Sequence, residues 1–156
     1  MGMFLNSSAP FQNYKSTAGS AFFVDKSPMI GELIPFLGTE QRYFCITRPR
    51  RFGKSVMANM LAAFFQKTPD GAALFGRLAI AKNRHYPEHL NRHDVIYIDF
   101  SRLPRDCDSY DQYIHRIQNG INQDLAEAFP ASRVDVDGSV WDNLQAACDY
   151  KKSPFL

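Results

Sequence analysis

The sequence predicts an α/β fold, a parallel sheet with flanking helices. Three observations carry that prediction. Two short runs, Arg42–Thr47 (RYFCIT) and Asp94–Ser101 (DVIYIDFS), are aromatic and β-branched, as buried strands are. Helix-forming stretches follow each run, and strands alternating with helices point to parallel pairing. Between the first run and its helix lies Arg48–Ser55 (RPRRFGKS), a basic loop ending in Gly-Lys-Ser. Together these give a P-loop NTPase-type sheet. Two strands cannot cover both faces of a parallel sheet. The sheet is therefore expected to be incomplete, with its other strands beyond Leu156.

Taken in order, residues 1–20 are rich in Ser, Asn and Gly and are expected to form a flexible N-terminal arm, leaving 21–156 as the folded domain. Ser27 followed by Pro28 is a helix start, the hydroxyl as N-cap and the proline at the first helical position. Pro35 ends that helix near Ile34. Gly38–Gln41 (GTEQ) is a turn into the first strand. After the basic loop, Val56–Lys67 (VMANMLAAFFQK) is apolar on nearly every side, which predicts a buried helix. Ala72–Ala81 (AALFGRLAIA) is a shorter helix candidate, and the polar stretch 82–93 a loop before the second strand. Ile114, Ile117, Ile121 and Leu125 recur at helical spacing, giving an amphipathic helix over 109–129. A loop precedes a last helix at 140–152.

Gly-Lys-Ser gains meaning from its place after a buried strand and before a helix. There the backbone N–H groups of Arg51, Phe52, Gly53, Lys54, Ser55 and Val56 would form an anion nest, reinforced by the helix dipole. Gly53 would permit close approach, Lys54 would reach the β- and γ-phosphates, and Ser55 would place its hydroxyl on Mg²⁺. The usual spacing asks for glycine where Arg48 stands. Pro49 keeps Arg48 extended, continuing the strand direction, and both lie outside the inferred nest.

Composition narrows the alternatives. The 156 residues carry a net charge of +2, too small to argue for nucleic acid or membrane by itself. The balance is uneven: residues 1–78 hold nine Lys/Arg against four Asp/Glu, and residues 79–156 nine against twelve. An anionic ligand in the first half fits that asymmetry. Three cysteines without a C-x-x-C spacing suggest neither a disulfide framework nor a zinc site, and fit a reducing cytoplasm. The nearly apolar run Val56–Phe65 is too short to span a bilayer.

Phe22–Ile34 (FFVDKSPMIGELI), Cys45–Phe65 (CITRPRRFGKSVMANMLAAFF), Leu74–Ile80 (LFGRLAI) and Val95–Ser101 (VIYIDFS) occur in that order. The chain thereby resembles the AAA-ATPase-like family, whose pattern reads close to YVDKT-x-x-I, TRPRRFGKS, LF-x-x-L-x-I and PVI-x-x-DFS. The resemblance covers roughly Phe22 to Arg102, and it makes Arg48 part of the family pattern. It implies a P-loop ATPase with ATP and Mg²⁺ as cofactors, often followed by a nuclease-like domain of the PD-(D/E)XK type. An IDEYD-like Walker B strand belongs to the family pattern and has no counterpart here, which suggests truncation and weak or absent hydrolysis. Asp99, closing the apolar run Val95–Ile98, is the remaining candidate for a catalytic Mg²⁺-shell carboxylate. In the family its strand precedes Walker B, which favours a structural role.

Asp25 and Lys26 match the family's VDK; a structural role is favoured, with Lys26 near the nucleotide as the other reading. His85, His89 and His93 lie four apart, but Pro87 interrupts a helix there, and a polar loop is preferred to a metal site. The rival to an ATP-binding module is a non-catalytic remnant whose basic rim binds nucleic acid or a partner protein. Uncovered apolar surface also suggests self-association.

Overall fold

The computed structural model describes residues 2–47, 49, 51–68, 70–101 and 107–156. Arg48, with its position in the phosphate-loop spacing, lies outside the described residues, as do Arg50 and Arg102. The elements are helical: α1 Ser8–Ala18, α2 Pro28–Leu33, α3 Lys54–Phe65, α4 Gly71–Phe75, α5 Tyr86–His89, α6 Tyr110–Ala128 and α7 Val140–Lys151. Single 3₁₀ turns occupy Ile34–Phe36 and Ala79–Lys82. No helix among the described residues is long and apolar enough to cross a membrane. Cys45, Cys107 and Cys148 are free thiols.

Among the described residues the expected parallel sheet is absent. Among the described residues, β pairing is confined to two isolated bridges, Leu5–Ile96 (antiparallel) and Gln66–His93 (parallel). Arg42–Thr47 forms no strand and is exposed throughout, with Tyr43 retaining 79% of its surface. Phe44 meets Phe36 edge-on, ring centroids 5.6 Å apart. β-Branched and aromatic composition records a fit to a half-buried pleat, but a strand exists only by pairing, and no described segment pairs with this one. In the second run, Asn6 N–H donates to Val95 C=O (2.9 Å) and Tyr97 N–H to Phe4 C=O (3.0 Å). On the other side Ile96 and Asp94 exchange bonds with Leu156 (2.9 and 3.0 Å). These bonds cover too few residues to make a ladder.

The chain divides into two compact units, Ser8–His93, and Met1–Ser7 with Asp94–Leu156. This differs from an arm at 1–20 and a domain at 21–156. Residues 8–18 form α1, which buries Phe11 and Tyr14 and packs on α3. The Ser/Asn-rich composition concealed an apolar pair at i, i+3, enough to hold a short helix once a partner surface exists.

The core of the Ser8–His93 unit is aromatic. Tyr14 stacks on Phe75 (centroids 5.4 Å), and Phe64 meets Phe75 edge-on at 5.2 Å. α3 buries its last turn, Ala62 to Phe65, together with Met57 and Met60, which explains why it reads as apolar all round. Its C-terminal carbonyls are closed by Asn91. The Asn91 Nδ2 donates to the carbonyls of Ala63, Phe64 and Gln66 at 3.1, 3.2 and 2.7 Å, from a left-handed backbone (φ 56°). The segment 82–93, expected as loop, contains α5, started rather than broken by Pro87.

The other unit packs α6 against α7 around Leu5, Tyr113, Ile117, Ile121, Leu125 and Ala147. Ile117, Ile121 and Leu125 lie buried as their spacing predicts; Ile114 is half-buried. Ser109 caps α6, its Oγ accepting from Gln112 N–H at 3.2 Å. Buried Asp124 accepts from the N–H groups of Met3, Phe4 and Leu5 (2.9, 2.6 and 2.9 Å), tying that extended segment to the helix. Lys151 Nζ pairs with Asp94 at 2.8 Å and lies 3.8 Å from the Phe155 ring centroid.

Candidate phosphate-binding site

The start of α3 is built by glycine. Gly53 is its N-cap in the left-handed region (φ 78°, ψ 25°), and no side chain caps the helix. Met57 N–H donates to Gly53 C=O at 3.0 Å, closing the first turn. A side-chain cap would have placed an oxygen over the first amides; a glycine leaves that end of the dipole open to an anion. Arg51 is also left-handed (φ 67°), a conformation costly for a residue with a Cβ. Phe52 N–H donates to Pro49 C=O at 3.4 Å. That bond turns the Phe52 amide into the loop itself, a departure from the nest expected over Arg51–Val56. Lys54 is the first helical residue, and it and Ser55 are exposed.

Beside this start lies a cavity of about 360 Å³, lined by Arg51, Phe52, Gly53 and Val56 from the loop and helix. Tyr14 and Met60 close its apolar side, and Lys26 lies on its wall. The Tyr14 hydroxyl is buried and has no hydrogen-bond partner among the described residues. Burial, and next the negative charge of Asp25, push the Tyr14 pKa up to about 12. A buried hydroxyl left unpaired costs roughly 1–3 kcal/mol.

Asp25 and Lys26 part company in the structure. Asp25 Oδ1 accepts from Ser27 N–H and Oδ2 from Ala79 N–H, both at 2.8 Å. Burial raises the Asp25 pKa, but these N–H donors and the Ser27 hydroxyl outweigh it and hold the carboxyl below its ordinary value. Ser27 does not cap α2 with its side chain. Its Oγ accepts from Ile80 N–H at 3.1 Å instead, a bond between remote segments that local sequence could not announce. Lys26 Nζ stands 3.6 Å from the point a Gly53 Cβ would occupy.

Asp99 belongs to the other unit, where its Oδ1 accepts from Ser101 N–H (2.9 Å) and Ser101 Oγ (2.6 Å). Among the described residues no group of three His, Cys, Asp or Glu could hold a metal ion. His89 and His93 stack, Nδ1 to Nε2 at 2.9 Å, and His85 Nδ1 pairs with Glu88 at 2.9 Å. Tyr14, which lines the cavity, lies in the stretch expected as a flexible arm, where its spacing from Phe11 is the one local signal.

The glycine-capped start of α3 thus borders a cavity that Lys26 also lines. The chain belongs to the AAA-ATPase-like family, described as predicted AAA-ATPase, whose model matches residues 10–153. No curated protein and no solved structure matches it significantly.

Proposed function

We propose that this protein binds Mg-ATP through the Arg51–Val56 loop. The carrying observation is the left-handed Gly53 at the uncapped start of α3, bordering a cavity that Lys26 also lines. These residues fit a nucleotide. The amides at the helix start and Lys54 would hold the β- and γ-phosphates, and the Ser55 hydroxyl would hold Mg²⁺, which neutralises phosphate charge when bound. Family membership supports ATP as the nucleotide. Hydrolysis is expected to be weak or absent. Hydrolysis needs a carboxylate for the Mg²⁺ shell, and the Asp99 carboxylate is engaged by Ser101.

The test is titration with labelled Mg-ATP. Lys54→Ala should lower affinity by roughly tenfold or more, the loss of one charge-assisted contact. Equal affinity in both proteins would remove the loop from the site.

A further inference from the structure

Lys26 is far from the loop in sequence and adjacent to it in space. Its main chain is pinned on both sides: Asp25 accepts from Ser27 and Ala79 N–H, Ser27 Oγ accepts from Ile80 N–H, and Lys26 C=O accepts from Met29 N–H at 3.2 Å. The lysine is thus delivered from a fixed backbone to the cavity beside Gly53. Among the described residues no carboxylate pairs with it. Asp25 is taken up by amides, and Glu32, which shares a second cavity of about 400 Å³ with Lys26 and Phe52, makes no ion pair to it. Tyr14 is among the residues that line the first cavity, beside Lys26 and Gly53.

We propose that Lys26 is a second phosphate-binding cation, contacting the same polyphosphate that the Arg51–Val56 loop receives; this rests on the nucleotide-binding reading above. The physical reason is placement. With Nζ 3.6 Å from the Gly53 Cβ position, an oxygen drawn close to Gly53 comes within reach of the ammonium. Charge-assisted N–H···O bonds of about 2.7–2.9 Å are the strong ones. The absent Cβ at Gly53 leaves room for that oxygen. Asp25 and Lys26 then divide their labour: the carboxylate fixes the backbone, and the lysine meets the ligand.

The experiment compares wild type, Lys26→Met, Lys26→Arg and Lys54→Ala for binding of Mg-ATP, Mg-ADP and adenosine. Lys26→Met should weaken both phosphorylated ligands by roughly tenfold or more and leave adenosine unchanged. Lys26→Arg should restore most of the affinity, since it keeps the charge. Lys26 is exposed, so its variants should melt with the wild type. Wild-type affinity in Lys26→Met, with Lys54→Ala impaired, overturns the Lys26 assignment and leaves the loop intact. An equal loss for adenosine also overturns it, by making the effect one of pocket shape. A wild-type protein indifferent to Mg-ATP, or a Lys54→Ala variant that binds as well as wild type, overturns both readings together.

Discussion

Gly53→Ala separates two roles that one glycine plays. The residue has φ 78°, where a side chain costs roughly 1–2 kcal/mol. Alanine also restricts the unfolded chain, which returns about 0.4–1 kcal/mol. The new Cβ meets nothing closer than Lys26 Nζ at 3.6 Å, an ordinary contact, so no clash adds to the strain. The net cost to the fold should be about 1 kcal/mol, a melting shift of roughly 2–4 °C for a chain this size. Binding should suffer more. The methyl group would stand where a phosphate oxygen shared by the helix start and Lys26 would sit, and Mg-ATP affinity should fall by at least about tenfold, the loss of one charge-assisted contact. Gly53→Asn discriminates between causes. Asparagine tolerates the left-handed region but still carries a Cβ. It should recover the melting temperature and not the affinity. Thermal melts and Mg-ATP titrations on the three proteins are the assay. Wild-type affinity in Gly53→Ala, or affinity restored by asparagine, would refute the occlusion argument. A melting loss several times larger would show that Gly53 is packed more tightly than its surroundings indicate.

Two further outcomes concern the fold that carries the site. Asn91→Ala should cost about 2–3 kcal/mol in urea unfolding, because it strips a donor from three carbonyls at the end of α3 and leaves alanine left-handed; Asn91→Gly should recover only the backbone share, roughly 1 kcal/mol. Burial holds the His89 pKa below its ordinary value, so the folded state favours the neutral ring. This contribution is full above the unfolded pKa of about 6.5 and is lost as pH falls from there through the folded value. Urea midpoints at neutral and mildly acidic pH should fall less in His89→Gln than in wild type; an equal fall would place the acid sensitivity elsewhere.

Local chemistry decided much of this protein in advance. The periodicity of Ile117, Ile121 and Leu125, the Ser109 cap and the apolar run behind Lys54 are read within a few residues, because helix bonds close four residues apart, and α3, α6 and α7 stand where those signals put them. The order of short motifs from Phe22 to Ser101 likewise disclosed the family without any fold. Pairing was not legible. Arg42–Thr47 and Asp94–Ser101 have strand composition, yet a strand is made by its neighbour, and only the tertiary structure shows the first unpaired and the second bridged briefly by Phe4–Asn6 and Leu156. α1 was hidden for the same reason, since two aromatic residues in a polar stretch become a helix only against the face of α3. The site divides along the same line. Gly53, Lys54 and Ser55 are a sequence signature, whereas Lys26 beside Gly53, Asp25 on the Ala79 amide and the enclosed Tyr14 hydroxyl join segments that only packing brings together. Helix signals travel along the chain; contacts between distant segments depend on how the whole core closes, and no short window of sequence contains that information.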